Sequence, residues 1–237
     1  MIARLLSPLP LILLGYLCGS ISFAYVVARA ARSIDLRHYG SRKLSASNVY
    51  GYLGFAGMAL VGILDIAKTV LPVWISMRLG RTLAVTVLVG LAVMIGHNWS
   101  LFLGFVGGRG ISAALGLLLC IFPEGVPWLL AWVFAGRLVP HAAAIPALLG
   151  FVKLPFLAMW LNQPAATVWG SWGILLITVV KRLESNRQPL PPNERAWRVL
   201  LRRLVLDRDI ADFEAWSRYT PADANEAGCR EYSHRRP

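Results

Sequence analysis

Acidic residues are nearly missing from the first 180 positions of this 237-residue chain: only Asp35, Asp65 and Glu124 occur there, against 12 Lys and Arg. Beyond residue 180, nine acids face another 12 basic residues. A basic region with so few acids suits anionic lipid heads or phosphorylated substrates, and part of the charge serves topology. For nucleic acid the basic balance alone is poor evidence, and no nucleic-acid motif or repeat accompanies it. Cysteine is scarce too. Cys18, Cys120 and Cys229 are odd in number, far apart and form no C-x-x-C, which argues against a disulfide framework and a metal site. There is no G-x-S-x-G elbow, and neither His38 nor His97 has Asp five residues later. No covalent acyl-enzyme and no His–Asp dyad is visible.

Apolar sequence is abundant. Hydrophobic residues make up 57% of the chain and charged ones 15%, a membrane composition. "LGYLCGS" lacks the small residue a lipoprotein site needs before Cys18, and the run continues through Val27, so the amino terminus reads as a retained span. Apolar stretches fall at about 9–30, 54–77, 82–103, 111–122, 125–138, 140–161 and 165–181. A crossing helix needs roughly 20 residues, so 111–122 and 125–138 are short. With Pro123, Glu124 and Gly125 between them they form a hairpin, or else one span runs from 111 to 134. Arg29, Arg32, Arg37, Arg42 and Lys43 place the first loop in the cytoplasm. Seven segments then put loop 104–110, Arg137 and the basic tail on that side. Arg78, Arg81 and Lys153 fit this less well. The expectation is an all-α polytopic membrane protein of about seven transmembrane helices, with a membrane domain over 1–186 and a cytoplasmic tail over 187–237.

Three loops would share one face: 31–53, "GFVGGRG" at 104–110, and 181–194. Polar, glycine-rich backbone near lipid survives where it is buried in protein or lines a wet cavity. Gly107 and Gly108 let the chain approach a ligand, Gly110 opens a helix, and bare amides beside Arg109 would make an anion site; tight packing or a turn is the alternative. Asp65 and Lys68 lie three apart and can pair on one helix face, either as a structural ion pair or facing substrate. His97 and Asn98 form a buried pair or a substrate clamp, and an uncharged His97 can act as a base.

"GSISFAYVVAR" at 19–29, "GS" and "ASN" within 40–48, "LDIAK" at 64–68, "GHN" at 96–98, "GGRG" at 107–110 and "RLVPHAAAIPALL" at 137–149 resemble, in order and spacing, the bacterial acyl-phosphate:glycerol-3-phosphate acyltransferases. The resemblance covers most of residues 10–186. It implies an integral inner (plasma) membrane enzyme with seven helices, a cytoplasm-facing site and no cofactor. Such an enzyme moves an acyl chain from acyl phosphate to the sn-1 hydroxyl of glycerol 3-phosphate, giving lysophosphatidic acid and phosphate. It further implies phosphate binding by Ser41, Asn48, Gly107, Gly108, Arg109, Gly110 and Asn186, with Asp65 and Lys68 nearby and His97 and Asn98 orienting the donor. The proton goes to His97 or to a substrate phosphate oxygen.

The chain departs from the family pattern. Arg42 and Lys43 replace Gly-Asn, Ser45 replaces Gly, and Gly51 stands where a phosphate-binding Arg is usual. Arg42 or Lys43 can restore the missing charge from another place in the loop. Arg109 replaces Lys, a planar fork for a point cation, and Val106 replaces a basic residue. Of the third motif only Asn186 and Glu194 remain, and Pro189, Pro191 and Pro192 would break a helix there. In the tail, Trp197, Leu200, Leu201 and Leu204 share a face, with Arg195, Arg198, Arg202 and Arg203 toward the other flank. That is a basic amphipathic helix on the membrane surface, or one docked on the loops; 220–237 reads as disordered. Two other functions stay open: a diverted member that acylates another acceptor or only binds lipid phosphate, and a transporter.

Overall fold

The computed structural model describes residues 7–139, 141–188, 190, 194–210 and 213, and among these the only regular elements are helices. They are α1 Leu9–Ser20, α2 Phe23–Arg32, α3 Ala46–Arg78, α4 Leu83–Asn98, α5 Ile111–Ile121, α6 Gly125–Ala135, α7 Ala144–Trp160, α8 Ala165–Glu184 and α9 Ala196–Leu206. Apolar runs become helices because lipid offers no partner to backbone groups, which must be satisfied within the segment.

Four stretches are long and apolar enough to cross a membrane: Leu9–Arg32, Ala46–Arg78, Leu83–Leu103 and Ala165–Glu184. Ile111–Ile121, Gly125–Ala135 and Ala144–Trp160 are shorter apolar helices. The hairpin is found in place of a continuous 111–134 span: α5 ends at Phe122, Pro123 and Glu124 turn, and α6 returns. At 1.5 Å per residue, each 11-residue arm reaches about 16 Å, roughly half the hydrocarbon thickness.

Two breaks shape the site. The first span unwinds at Ile21–Ser22, where the Ile21 carbonyl leaves the helical ladder and accepts from Lys68 Nζ at 2.7 Å. Ser22 Oγ then caps α2 by accepting from Tyr25 N. In α3 the helix is interrupted at Gly54, whose φ of 63° favours glycine, so Ala46 to Leu53 form a separate helical segment before the long one.

Close packing fixes the frame. A Cβ on Gly19 would stand 2.1 Å from the Val93 carbonyl oxygen, and one on Gly96 2.2 Å from that of Tyr16, so small residues let α1 and α4 touch backbone to backbone. Phe122, Phe151, Leu117, Leu154 and Ile174 are fully buried between α5, α7 and α8. Ile63, Phe156, Trp169 and Leu176 point outward, as lipid-facing side chains do. Arg78 lies over Trp74 and Lys153 over Trp132, so two of the cations that fitted the topology least are sheltered by aromatic faces. Cys18 and Cys120 are free thiols.

α9 docks on α7 and α8, by a face other than the expected one. Val199 and Arg203 are buried, whereas Trp197, Leu200 and Leu201 are exposed. Arg203, read as part of the polar flank, is buried because Asp209 accepts from its Nε at 2.5 Å and Gln188 O from its NH2 at 2.7 Å. The readings at Cys229, at 220–237 and at Pro189, Pro191 and Pro192 lie outside the described residues, as does the Arg137 side chain.

Candidate active site

The three loops do converge, and two asparagines stitch them. Asn48, at the start of α3, accepts from Ser41 N through Oδ1 at 3.2 Å and donates through Nδ2 to the carbonyls of Tyr39 and Lys43. Leu44 N donates to Gly107 O, which ties the first loop to the second. Asn186, just past α8, grips Gly107 from both sides: Oδ1 accepts from its N–H and Nδ2 donates to its carbonyl, each at 3.2 Å. Asn48 and Asn186, read from the sequence as phosphate ligands, therefore use their amides to hold the loops.

The glycine amides are likewise taken. Gly107 N donates to Asn186, and Gly108 N donates to His97 O at 3.0 Å, so neither is a bare donor for a ligand. What these glycines provide is closeness: a Cβ on Gly108 would stand 2.2 Å from His97 Nε2. Gly110, at φ 76°, makes the left-handed turn that starts α5. Gly110, Ile111 and Ser112 line a cavity of about 380 Å³, so the amino end of α5 faces it.

Three buried cations meet at this cavity. Lys43 and Arg109 are 6% and 8% exposed, and Arg182 from α8 is 4% exposed. They share one carboxylate, Asp207, which follows α9. Arg109 Nε stands 2.8 Å from Asp207 Oδ1, and Lys43 Nζ donates to Oδ2 at 2.6 Å and to the Asp207 carbonyl. Arg109 NH1 also donates to Lys181 O at 2.7 Å. Arg182 donates to Leu204 O and Ala144 O, binding α9 to the membrane domain. Burial pushes the Lys43 ammonium down to about 7, with Asp207 opposing. Burial alone would raise the Asp207 carboxyl, but Arg109, Lys43 and Arg182 hold it below the usual range.

Asp65 and His97 line the same cavity. Asp65 pairs with Lys68 at 2.8 Å, and its Oδ1 lies 3.7 Å from His97 Nδ1. A His–Asp pair thus exists although no short spacing announced it, because α3 and α4 bring the two together across 32 positions of sequence. Lys68 does not line the cavity; it holds Asp65 and the Ile21 carbonyl. Asn98 is fully buried beside Gly110, and its carboxamide makes no hydrogen bond among the described residues.

Of the sequence-predicted residues, Ser41, Lys43, Asp65, His97, Arg109 and Gly110 line one cavity, while Arg42, Asn48, Lys68, Asn98, Gly107, Gly108 and Asn186 stand around it. Arg182, Ser112, Thr178 and Asp207 also line it and were missed. Arg182 lay in the third loop; nothing local marked Asp207.

The family model described as glycerol-3-phosphate acyltransferase matches residues 9–190. Glycerol-3-phosphate acyltransferase 5 of Dehalococcoides mccartyi is 36% identical over 225 residues, 90% of this chain and 94% of that relative. Glycerol-3-phosphate acyltransferase of Roseiflexus sp. is 36% identical over 173 residues, 70% of this chain and 85% of its own length. Among solved structures, PlsY (YgiH), an integral membrane glycerol 3-phosphate acyltransferase, resembles this fold in its glycerol 3-phosphate form. The TM-score is 0.68 at 26% identity, covering 75% of this chain and 88% of that one.

Proposed function

Because the chain belongs to the glycerol-3-phosphate acyltransferase family, we propose that its cavity brings acyl phosphate and glycerol 3-phosphate together and moves the fatty acyl chain to the sn-1 hydroxyl, releasing lysophosphatidic acid and phosphate. The chain is a membrane enzyme, a glycerol-3-phosphate acyltransferase. The observation that carries the proposed mechanism is the excess of buried positive charge, Lys43, Arg109 and Arg182, lining one cavity with the His97–Asp65 pair.

Acyl phosphate is already activated, with phosphate as leaving group, so no protein nucleophile is required. The enzyme must hold two anions together and remove one proton. Lys43, Arg109 and the amino end of α5 bind phosphate oxygens and stabilise the charge that grows on the leaving group. His97 takes the proton of the sn-1 hydroxyl as its oxygen attacks the acyl carbonyl, the C–O bond to phosphate breaks, and the electron pair leaves with phosphate. The Asp65 carboxylate, 3.7 Å from His97 Nδ1, favours the imidazolium that forms, and Lys68 keeps Asp65 in place. Val133, Ala147 and Phe151 form an apolar wall for the start of the acyl chain.

A membrane arrangement follows from the short hairpin. If α5 and α6 enter and return without crossing, the parity of crossings is the same as in a count of seven. The ends of α2, α4 and α8 and the start of α7 then share a face. The cations of 29–43 put that face in the cytoplasm, with the chain in the inner (plasma) membrane. α9 lies on the same side, turning Trp197, Leu200 and Leu201 to the lipid surface.

Phosphate release from palmitoyl phosphate tests this reading, using purified protein in detergent or lipid with and without glycerol 3-phosphate. Acceptor-dependent release without any gradient, lost in Arg109→Ala, is expected. Release independent of the acceptor, or equal in Arg109→Ala, contradicts it.

A further inference from the structure

Asp207 lies outside residues 9–190, the part that matches the family model, yet its carboxylate sits among the cations of that part. The carboxylate is held by one hydrogen bond, from Lys43, and by an ion contact with Arg109 at 2.8 Å that is not a hydrogen bond. Oδ1 faces Arg109 Nε, while Oδ2 and the main-chain oxygen accept from Lys43 Nζ. The segment is delivered by α9, which is anchored independently: Arg182 binds the carbonyls of Leu204 and Ala144, and Asp209 accepts from Arg203 Nε and from Ser185 Oγ. Asp207 itself holds a left-handed backbone, φ 55°, just past the helix end. The contacts that dock α9 are thus separate from those that Asp207 makes with Lys43 and Arg109.

Lys43 also departs from the family's first loop, which has no lysine at that place, and its carboxylate partner comes from 164 positions away. A cation of the first loop and an anion of the tail meet where the substrate phosphate is proposed to bind. A carboxylate ligand that displaced Asp207 would replace one monoanion by another and gain little charge complementarity. A phosphate dianion gains one further charge against Lys43, Arg109 and Arg182.

We propose that Asp207 is a specificity-determining residue: a resident carboxylate that a dianionic phosphate displaces from Lys43 and Arg109 and that fatty-acid and other carboxylate monoanions do not. This rests on the reading of Lys43 and Arg109 as the phosphate-binding cations. It gives the enzyme a reason to keep an internal competitor, since its membrane holds free carboxylates beside its phosphorylated substrates.

The test is steady-state kinetics of the full-length protein, wild type against Asp207→Asn, with hexanoate as the carboxylate probe. In Asp207→Asn the KM for glycerol 3-phosphate falls, and hexanoate inhibits more strongly, each by roughly three- to tenfold. A raised KM, a lost kcat or unchanged hexanoate inhibition overturns the proposal, the first two by making Asp207 a support for the cations. Hydrogen exchange on the wild type covers the case in which the variant does not fold: glycerol 3-phosphate speeds exchange of the Asp207 and Arg208 amides and leaves that of 199–203 unchanged, and unchanged or slowed exchange at Asp207 and Arg208 contradicts displacement. Arg109→Ala separates the two levels. If it keeps its KM for both substrates, the phosphate site itself is misplaced; if it loses them while Asp207→Asn changes nothing, only the role of Asp207 falls.

Discussion

Two groups of buried charge serve the same cavity and are built on opposite principles. Asp65 and Lys68 are one anion and one cation, one turn apart on α3 and 2.8 Å from each other. Lys43, Arg109 and Arg182 come from a loop, a glycine turn and the end of α8, and they share the single carboxylate of Asp207. A balanced pair settles its own desolvation and asks for no ligand. An unbalanced group leaves positive charge that a phosphate can answer. The first kind supports a site, and the second binds.

That contrast is sharpest at Arg109. Arg109→Ala lowers kcat/KM for glycerol 3-phosphate by about 10²–10³, the scale of losing one preorganised charge at a transition state. It leaves the thermal unfolding midpoint far less affected than Lys68→Met does, and the contrast breaks if the two variants cannot be told apart. Lys68→Met strands Asp65 without its cation and costs about 3 kcal/mol of stability, read as a lowered unfolding midpoint. The double variant Asp65→Asn with Lys68→Met restores most of that stability. Its activity stays low, because the imidazole of His97 has lost the nearby carboxylate that favours its protonated form.

A smaller effect comes from the hinge between the two groups. Gly108→Ala places a methyl against His97 Nε2, where a Cβ would stand at 2.2 Å. The imidazole must turn and the Leu44 carbonyl, 2.8 Å from the same Cβ, must give way, so kcat drops by about tenfold and KM for glycerol 3-phosphate rises with the displaced Lys43 loop. The smallest effect is in pH. Lys43 is pushed down to about 7 by burial, so its cation is present below that pH and lost as pH rises through it. Substrate phosphate is already dianionic there, its second ionisation lying near pH 6. The KM for glycerol 3-phosphate therefore rises several-fold above pH 7 in the wild type. In Lys43→Arg, whose guanidinium keeps its proton, the profile is flat. A rise that persists in Lys43→Arg assigns the titration elsewhere.

Much of the frame was legible in the sequence because it follows from local rules. The length of each apolar run, the turn at Pro123–Glu124 and the boundary at Gly54 all rest on neighbouring residues. The motif residues predicted the wall of the cavity for a similar reason: Ser41, His97 and Arg109 sit at helix ends and turns that the sequence marks, and Asp65 is a lone acid inside an apolar run. Roles were harder to read than positions. Gly107 and Gly108 suggested bare amides, yet Asn186 and His97 already use them, and only the fold brings those acceptors near. The break at Ile21 depends on Lys68 from another helix. Asp207 was invisible because its partners are far away in the chain, in a tail whose apolar face drew attention to lipid and away from the site.

Equilibrium binding of glycerol 3-phosphate to the purified protein, wild type beside Arg109→Ala at one ionic strength and pH 6.5, tests the central claim most directly. Saturable binding weakened by at least about tenfold in the variant is the predicted result, the loss of one charge-assisted phosphate contact. Equal affinity in the two proteins would contradict it, and the phosphate would then be held somewhere other than the cation-rich wall.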